Sequence, residues 1–420
     1  MKILWITNNL FPEAQQLLTS KPCSNSGSGG WLLGLANMLV RNEDLELTIA
    51  SLSEAVSELT RLKGERISYY ILPFGKGNVG RNREYEPFWR QVRDELMPDV
   101  VHLHGTEFSH GLAYIEACGA DNVCVSIQGM TSVIKDYFRA GLSTIDILKA
   151  STFGTAMFGG ILSTQKDLSK RSECETEIIR RVGHVIGRTT WDRAHTWAIN
   201  PSAKYYYGGE TLREEFYQNH CWTYDKCIPH SIFLSQAGTP LKGLHMMLNA
   251  MPLILRHFPD SKIRIAGGNI CANSGFKRKL LGSDYGNIIS GIMKKYQLSN
   301  CITFTGSLNA EGMRKEYLNC NVFVCPSSIE NSPNSLAEAQ VLGTPVVASY
   351  AGGIPDMMKG NEEYLYRYED YGMLAYKICR IFEQNSQINT GAMRQQALLR
   401  HNTENIVQEQ MNIYRIISRL

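Results

Sequence analysis

The chain has 420 residues, of which 43% are hydrophobic and 20% charged, and its formal net charge is +3 at pH 7. That length allows two or three domains, each able to bury a core, while so small a charge leaves no electrostatic footprint for nucleic acid. The eleven cysteines are odd in number and lack a Cys-x-x-Cys pair, which argues for reduced thiols, with no disulfide framework or zinc site.

Met1-Lys-Ile-Leu-Trp-Ile-Thr7 opens a strand near Ile3–Thr7, with an apolar run too short for a secretory signal. Further strands are expected near Leu47–Ser51, Ser68–Leu72, Val100–Leu103, Val123–Ile127 and His184–Gly187. Helical patterns lie between them at Trp31–Val40, Pro87–Leu96 and from Lys135 to Arg181. Within the last region, Ala150 to Leu162 is apolar enough to be either a buried helix or a surface that touches lipid or a partner. The second half repeats the alternation. Its strands are expected near Ser231–Leu234, Lys262–Ala266, Ile302–Thr305, Val322–Cys325 and Val346–Ser349. Its helices are Gly243–His257, Ser283–Tyr296, Ala310–Asn319, Pro333–Leu342, Tyr371–Gln384 and the amphipathic Asn402–Leu420. Such alternation implies an α/β fold with parallel sheets. The expected organisation is one domain over 1–205, a linker over 206–228 and a second domain over 229–401. No segment reaches the ~18 apolar residues of a spanning helix, so a cytoplasmic protein is expected, with peripheral membrane contact left open.

The most informative stretch is Pro326-Ser-Ser-Ile-Glu330-Asn-Ser-Pro-Asn-Ser-Leu-Ala-Glu338. It follows a buried strand and enters a helix, for which Ser332 is the expected N-cap and Pro333 the first helical residue. Glu330 then sits in the loop and Glu338 on the second turn. Between them, the amides of Asn334 and Ser335 face outward from the positive end of the helix, which suits a phosphate. Two hydroxyl-binding carboxylates beside such an end describe a site for a nucleotide linked to a sugar.

This Glu-x7-Glu pattern, followed by Gly343-Thr-Pro-Val-Val-Ala-Ser349 and Gly352-Gly353-Ile-Pro355, resembles retaining glycosyltransferase family 4. The resemblance implies the GT-B fold, two facing Rossmann-like domains with a cleft between them, and a final helix 402–420 that crosses back to the first domain. It implies that Glu330 binds the transferred sugar and Glu338 the ribose. Lys242-Gly243 matches the family's Lys-Gly, whose ammonium stabilises the departing diphosphate. Where the family carries an arginine six residues earlier, this chain has Gln236, which donates hydrogen bonds without a charge.

In the first half, Pro98-Asp-Val-Val-His102-Leu-His104-Gly105 resembles the family motif that puts His104 near the acceptor, with His102 structural. The family's next histidine is Gln128 here, a polar contact and not an acid or base. The Gly29–Gly30 pair, in the glycine-rich run before the helix at Trp31, resembles the family's loop that lies against the donor phosphates or the acceptor; its spacing is a poor dinucleotide fingerprint. Around Arg188 and Glu210 the chain looks like transferases of bacterial surface polysaccharide clusters, and these two residues either face the cleft or hold the hinge. The basic loop Lys76–Arg83 either meets anionic lipid or is simply solvated.

The leading expectation is a retaining glycosyltransferase that moves a sugar from a nucleotide-sugar donor to a hydroxyl of a glycan or lipid-linked acceptor. No cofactor is expected. No Asp-x-Asp pair is present, and a helix end plus Lys242 supplies the charge a metal would. A bacterial capsule, exopolysaccharide or lipopolysaccharide role at the inner face of the cytoplasmic membrane follows from resemblance. A nucleotide-sugar epimerase and a non-catalytic nucleotide-sugar-binding protein remain as other classes.

Overall fold

The computed structural model describes residues 1–19, 30–74, 83–218, 220–271 and 280–419. The chain divides into two compact units. The first contains Met1–Val133, Asp167–Arg213 and His401–Leu420; the second contains Ile134–Lys166 and Glu214–Arg400.

The first unit is built on β1 (Lys2–Thr7), β2 (Glu46–Ser53), β3 (Thr60–Lys63), β4 (Ser68–Pro73), β5 (Val100–His104), β6 (Val123–Ser126), β7 (His184–Gly187) and β8 (Lys204–Tyr207). Their order is β3-β4-β2-β1-β5-β6-β7-β8. All neighbours are parallel except β3, which runs antiparallel to β4 at the edge. Helices cover both faces, so the central strands are apolar on both sides. Alternation divides β1 between two cores. Leu4 and Ile6 join Trp89, Leu112 and Ile178, whereas Ile3 and Trp5 join Leu35, Ile413 and Tyr414. Tyr414 belongs to the helix Thr403–Ile417, and its hydroxyl accepts from Trp5 Nε1 at 2.7 Å and pairs with His102 Nδ1 at 2.7 Å.

The second unit has β9 (Ile228–Leu234), β10 (Lys262–Ile265), β11 (Ile302–Phe304), β12 (Cys320–Cys325), β13 (Val346–Ser349) and β14 (Leu365–Tyr366), ordered β11-β10-β9-β12-β13-β14 and parallel throughout. From β9 the sheet grows through β10 and β11 on one side and through β12 on the other. The crevice beyond the carboxyl ends of β9 and β12 is therefore a topological switch point, where open α/β sheets bind ligands.

Two sequence expectations change. The sequence alternation groups residues 134–166 with a domain spanning 1–205, but they pack in the second unit. His245 Nε2 and the Tyr368 hydroxyl both reach the Ala140 carbonyl, at 2.8 and 2.6 Å. Asn287 Nδ2 donates to Ala150 O at 2.9 Å, and Asp284 Oδ2 accepts from the Ile161 amide at 2.7 Å. Second, Ala150–Leu162 is not a buried helix. It contains the short helix Phe153–Phe158, on which Phe153, Met157 and Phe158 are 59%, 60% and 77% exposed. Only the small Gly154 turns inward, against the backbone of Leu281.

Candidate functional site

The loops after β9 and β12 meet at the switch point. The loop after β9 ends in a single turn, Pro240–Lys242, closed by Gly243 at φ +71°. A Cβ at Gly243 would lie 1.7 Å from the Pro326 carbonyl oxygen, so only glycine lets the two loops approach this closely. The Ser328 amide then donates to Leu241 O at 2.8 Å. This junction brings Lys242 Nζ to 2.6 Å from Glu330 Oε1, across 88 residues of sequence.

Both side chains of that pair are partly exposed, 26% for Lys242 and 14% for Glu330. Burial opposes the ammonium, but the charge and hydrogen bond of Glu330 outweigh it, and the Lys242 pKa is raised. Ser327 Oγ donates to the same Glu330 Oε1 at 2.8 Å, while Ser349 Oγ anchors Ser327 through its carbonyl at 2.6 Å. Among the described residues, no donor meets Glu330 Oε2. One carboxylate oxygen thus fixes the lysine, and the other is open to a hydroxyl. Lysine has three donors, so the pair leaves it capacity for a phosphate oxygen.

Gly352 and Gly353 support Glu330 from behind. The Gly353 amide donates to Glu330 O at 2.9 Å. A Cβ at Gly352, whose φ is +57°, would stand 1.9 Å from that oxygen. The helix begins one residue later than expected, at Asn334, with Pro333 as N-cap. Proline's ψ of 118° is extended, so helical geometry starts after it, and no side chain caps the end. Among the described residues no acceptor meets the amides of Asn334 or Ser335, and Asn334 Oδ1 is buried without a partner. Glu338, in the second turn, is 5% exposed and accepts from the Tyr317 hydroxyl at 3.3 Å. Gln236 is exposed in the loop after β9.

The remaining sequence-derived positions lie in the first unit. Gly29 and the basic stretch 75–82 fall outside the described residues; Gly30 starts the helix Gly30–Leu39. His102 is satisfied on both nitrogens, by Tyr414 and by Ser126 Oγ, each at 2.7 Å. The His104 ring lies tilted against it at 3.8 Å and edge-on to Trp5 at 4.3 Å, centroid to centroid. Yet both His104 nitrogens are buried without a partner among the described residues. Burial, then His102 and Arg188, hold its pKa well below the usual histidine range, so the ring is neutral. Arg188 is bound internally, to Glu210 Oε1 at 2.6 Å and Ile127 O at 2.6 Å, with its guanidinium over Trp31. Gln128 bridges that ion pair once its amide nitrogen faces Glu210 and its oxygen faces Arg188, at 3.3 Å each.

Ser327, Tyr317 and Ser349 escaped sequence reasoning. They are ordinary residues whose roles come only from the strands that carry them. Among the described residues no group of three or more His, Cys, Asp or Glu side chains is placed to hold a metal.

Residues 229–384 match the family model of group 1 glycosyl transferases. That match spans the strands and loops that carry Lys242, Glu330 and Glu338. The chain is similar to the uncharacterized glycosyltransferase MJ1607 of Methanocaldococcus jannaschii, 28% identical over 180 residues, 42% of either chain. It is also similar to the D-inositol 3-phosphate glycosyltransferase of Corynebacterium urealyticum, 26% identical over 42% of this chain and 40% of that protein. The chain thus spans about two fifths of the length of these curated relatives. Among solved structures, sucrose-phosphate synthase from Thermosynechococcus elongatus aligns over 99% of this chain and 98% of its own, with a TM-score of 0.70 at 16% identity. Anabaena Alr3699/HepE in complex with UDP aligns over 100% of both chains, with a TM-score of 0.63 at 14% identity. The fold is GT-B. No helix among the described residues is long and apolar enough to cross a membrane.

Proposed function

We propose that the protein is a retaining, metal-independent glycosyltransferase that moves a sugar from a nucleotide-sugar donor to a hydroxyl of a glycan or lipid-linked acceptor. The observation that carries this reading is the Lys242–Glu330 pair at the β9–β12 switch point, beside the open end of the Asn334–Leu342 helix. The family match over 229–384 supports it, as does Alr3699/HepE, solved with UDP and with UDP-glucose.

In this reading the amides of Asn334 and Ser335 and the ammonium of Lys242 hold the diphosphate. As the bond from the sugar's anomeric carbon to the phosphate oxygen breaks, negative charge gathers on that oxygen. A fixed cation and a helix end stabilise it without reorganisation. Glu330 Oε2 takes a sugar hydroxyl and Glu338 takes the ribose hydroxyls, with Gln236 supplying an uncharged donor where family members have arginine. The acceptor hydroxyl attacks from the leaving group's own face. It forms the new carbon–oxygen bond, and its proton passes to the departing phosphate oxygen. His104, Gln128 and the Gly29–Gly30 loop serve the first unit's side of the reaction. The exposed Phe153, Met157 and Phe158 suit a protein that works at the inner face of a membrane, in surface polysaccharide synthesis.

The test is nucleotide release in chelator, with the anomeric configuration of the product read by NMR. Retention with undiminished turnover is expected. Inversion, or turnover that collapses without divalent metal, refutes the reading.

A further inference from the structure

Three elements of the second unit converge on one short turn, Tyr137–Leu142. The Ala140 amide donates to Tyr137 O and the Leu142 amide to Arg139 O, each at 3.0 Å. Arg139 braces the turn, donating to Gln165 Oε1 at 2.6 Å and Thr144 Oγ1 at 2.8 Å. Ala140 is left-handed, at φ +53°. Residues with a Cβ seldom adopt that conformation, and it persists where the surroundings over-determine it.

The surroundings here are side chains that follow the carboxyl ends of three strands. Past β12, Ser328 Oγ donates to Tyr137 O at 3.0 Å, while the Ser328 amide donates to Leu241 O at 2.8 Å. In the helix Leu244–His257, which follows β9, His245 Nε2 lies 2.8 Å from Ala140 O. Past β14, the Tyr368 hydroxyl donates to that same carbonyl at 2.6 Å. All of these residues belong to the second unit.

The hydrogens follow from the acceptors. Burial lowers the His245 pKa, and the Ala140 carbonyl offsets this only in part, so the ring is neutral and carries one N–H. A carbonyl can only accept, which puts that N–H on Nε2. Nδ1 then accepts from the Tyr285 hydroxyl, 3.1 Å away. The Tyr285 oxygen in turn accepts from the amides of Leu244 and His245. It thereby caps a helix whose N-cap residue, Gly243, makes no side-chain cap. One run of bonds leads from the start of that helix through Tyr285 and His245 to the turn. Another leads from Leu241 through Ser328 to the turn. Together they frame the pair at the switch point: Leu241 precedes Lys242, His245 follows it by three residues, and Ser328 precedes Glu330 by two.

We infer that the Tyr137–Leu142 turn is a clamp that sets the Lys242–Glu330 geometry for a diphosphate, with Ser328 and His245 as positioning residues, an assignment that rests on the donor site proposed above. The test is titration calorimetry of the full chain, without metal, using UDP, GDP and ADP beside uridine, guanosine and adenosine. Wild type should bind at least one diphosphate. Ser328→Ala and His245→Ala should each weaken it roughly threefold to tenfold and leave its nucleoside unchanged. His245→Gln, whose amide nitrogen still donates to Ala140 O, should recover most of the loss. In a Lys242→Met background neither alanine should cost further affinity, since the ammonium they aim is gone. Should His245→Ala fail to fold, Ser328→Ala with Tyr368→Phe must give the same pattern. A lowered melting temperature with diphosphate affinity intact overturns the inference. So do equal losses for diphosphate and nucleoside, or losses that persist beside Lys242→Met. The donor site is judged separately by Lys242→Met alone. Unchanged diphosphate affinity in that variant, or no binding to wild type, overturns the site and the clamp together. A loss there with none in the two alanine variants overturns the clamp only.

Discussion

Glu107→Gln should gain stability relative to wild type as pH rises. The Glu107 pKa moves from an ordinary 4.5 to about 7 on folding. Burial is the main cause. The Glu175 charge adds to it, and the amides of Glu107 and Thr106 with the Arg171 charge work against it. Because the folded pKa lies above the unfolded one, folding favours the protonated carboxyl. The resulting penalty is absent below pH 4.5 and complete above pH 7. A tenfold change in proton affinity is about 1.4 kcal/mol, so from pH 4 to pH 8 the penalty rises by about 3 kcal/mol. Glutamine carries no such penalty. Any cost of its buried amide is independent of pH and cancels in the comparison. Urea denaturation followed by tryptophan fluorescence reads the right unit, since Trp5, Trp31, Trp89, Trp191 and Trp197 lie there and only Trp222 does not. The stability difference between variant and wild type should grow by about 3 kcal/mol across that range. A difference that stays constant with pH refutes the reasoning.

Gly352→Ala should destabilise the second unit by at least about 2 kcal/mol, because its φ is left-handed and its Cβ would strike Glu330 O; calorimetry checks this, and an unchanged melt contradicts it. Lys242→Met should lower affinity for a nucleoside diphosphate roughly tenfold or more while sparing the bare nucleoside, measured by titration calorimetry of both ligands. Phe153→Ser with Phe158→Ser should reduce sedimentation with anionic lipid vesicles, each buried phenyl contributing about 1.5–3 kcal/mol. Equal sedimentation would remove the membrane role from that surface.

Much of the fold was legible because parallel strands buried on both faces are short apolar runs with sharp ends. His184–Gly187 and Val346–Ser349 have the expected bounds. The polar edge strand Thr60–Lys63 and the tyrosine-rich Lys204–Tyr207 lack that signature and were missed. So was the helix Ser109–Cys118, whose buried run from Ser109 to Ile115 leaves no polar face to set a period. Periodicity marked 135–181 as helical, but a helix pattern does not say which sheet it packs on, and 134–166 belongs to the second unit. At the site, the identities of Glu330 and Lys242 stood out from their local motifs. Their direct pairing did not, because it depends on the β9–β12 register and on two glycines that let loops touch. The burial that raises the Glu107 pKa is likewise a property of its surroundings, invisible in Gly-Thr-Glu-Phe.

The central claim is that the β9–β12 switch point binds a nucleotide-sugar through Lys242, Glu330 and Glu338. Titration calorimetry of UDP-glucose, UDP-N-acetylglucosamine, GDP-mannose and ADP-glucose, without metal, on wild type and Glu338→Ala tests it most directly. The account predicts that donors of one base bind wild type and that the variant binds them roughly tenfold or more weakly. Binding that is identical in the two proteins, or absent from wild type for all four, would contradict it.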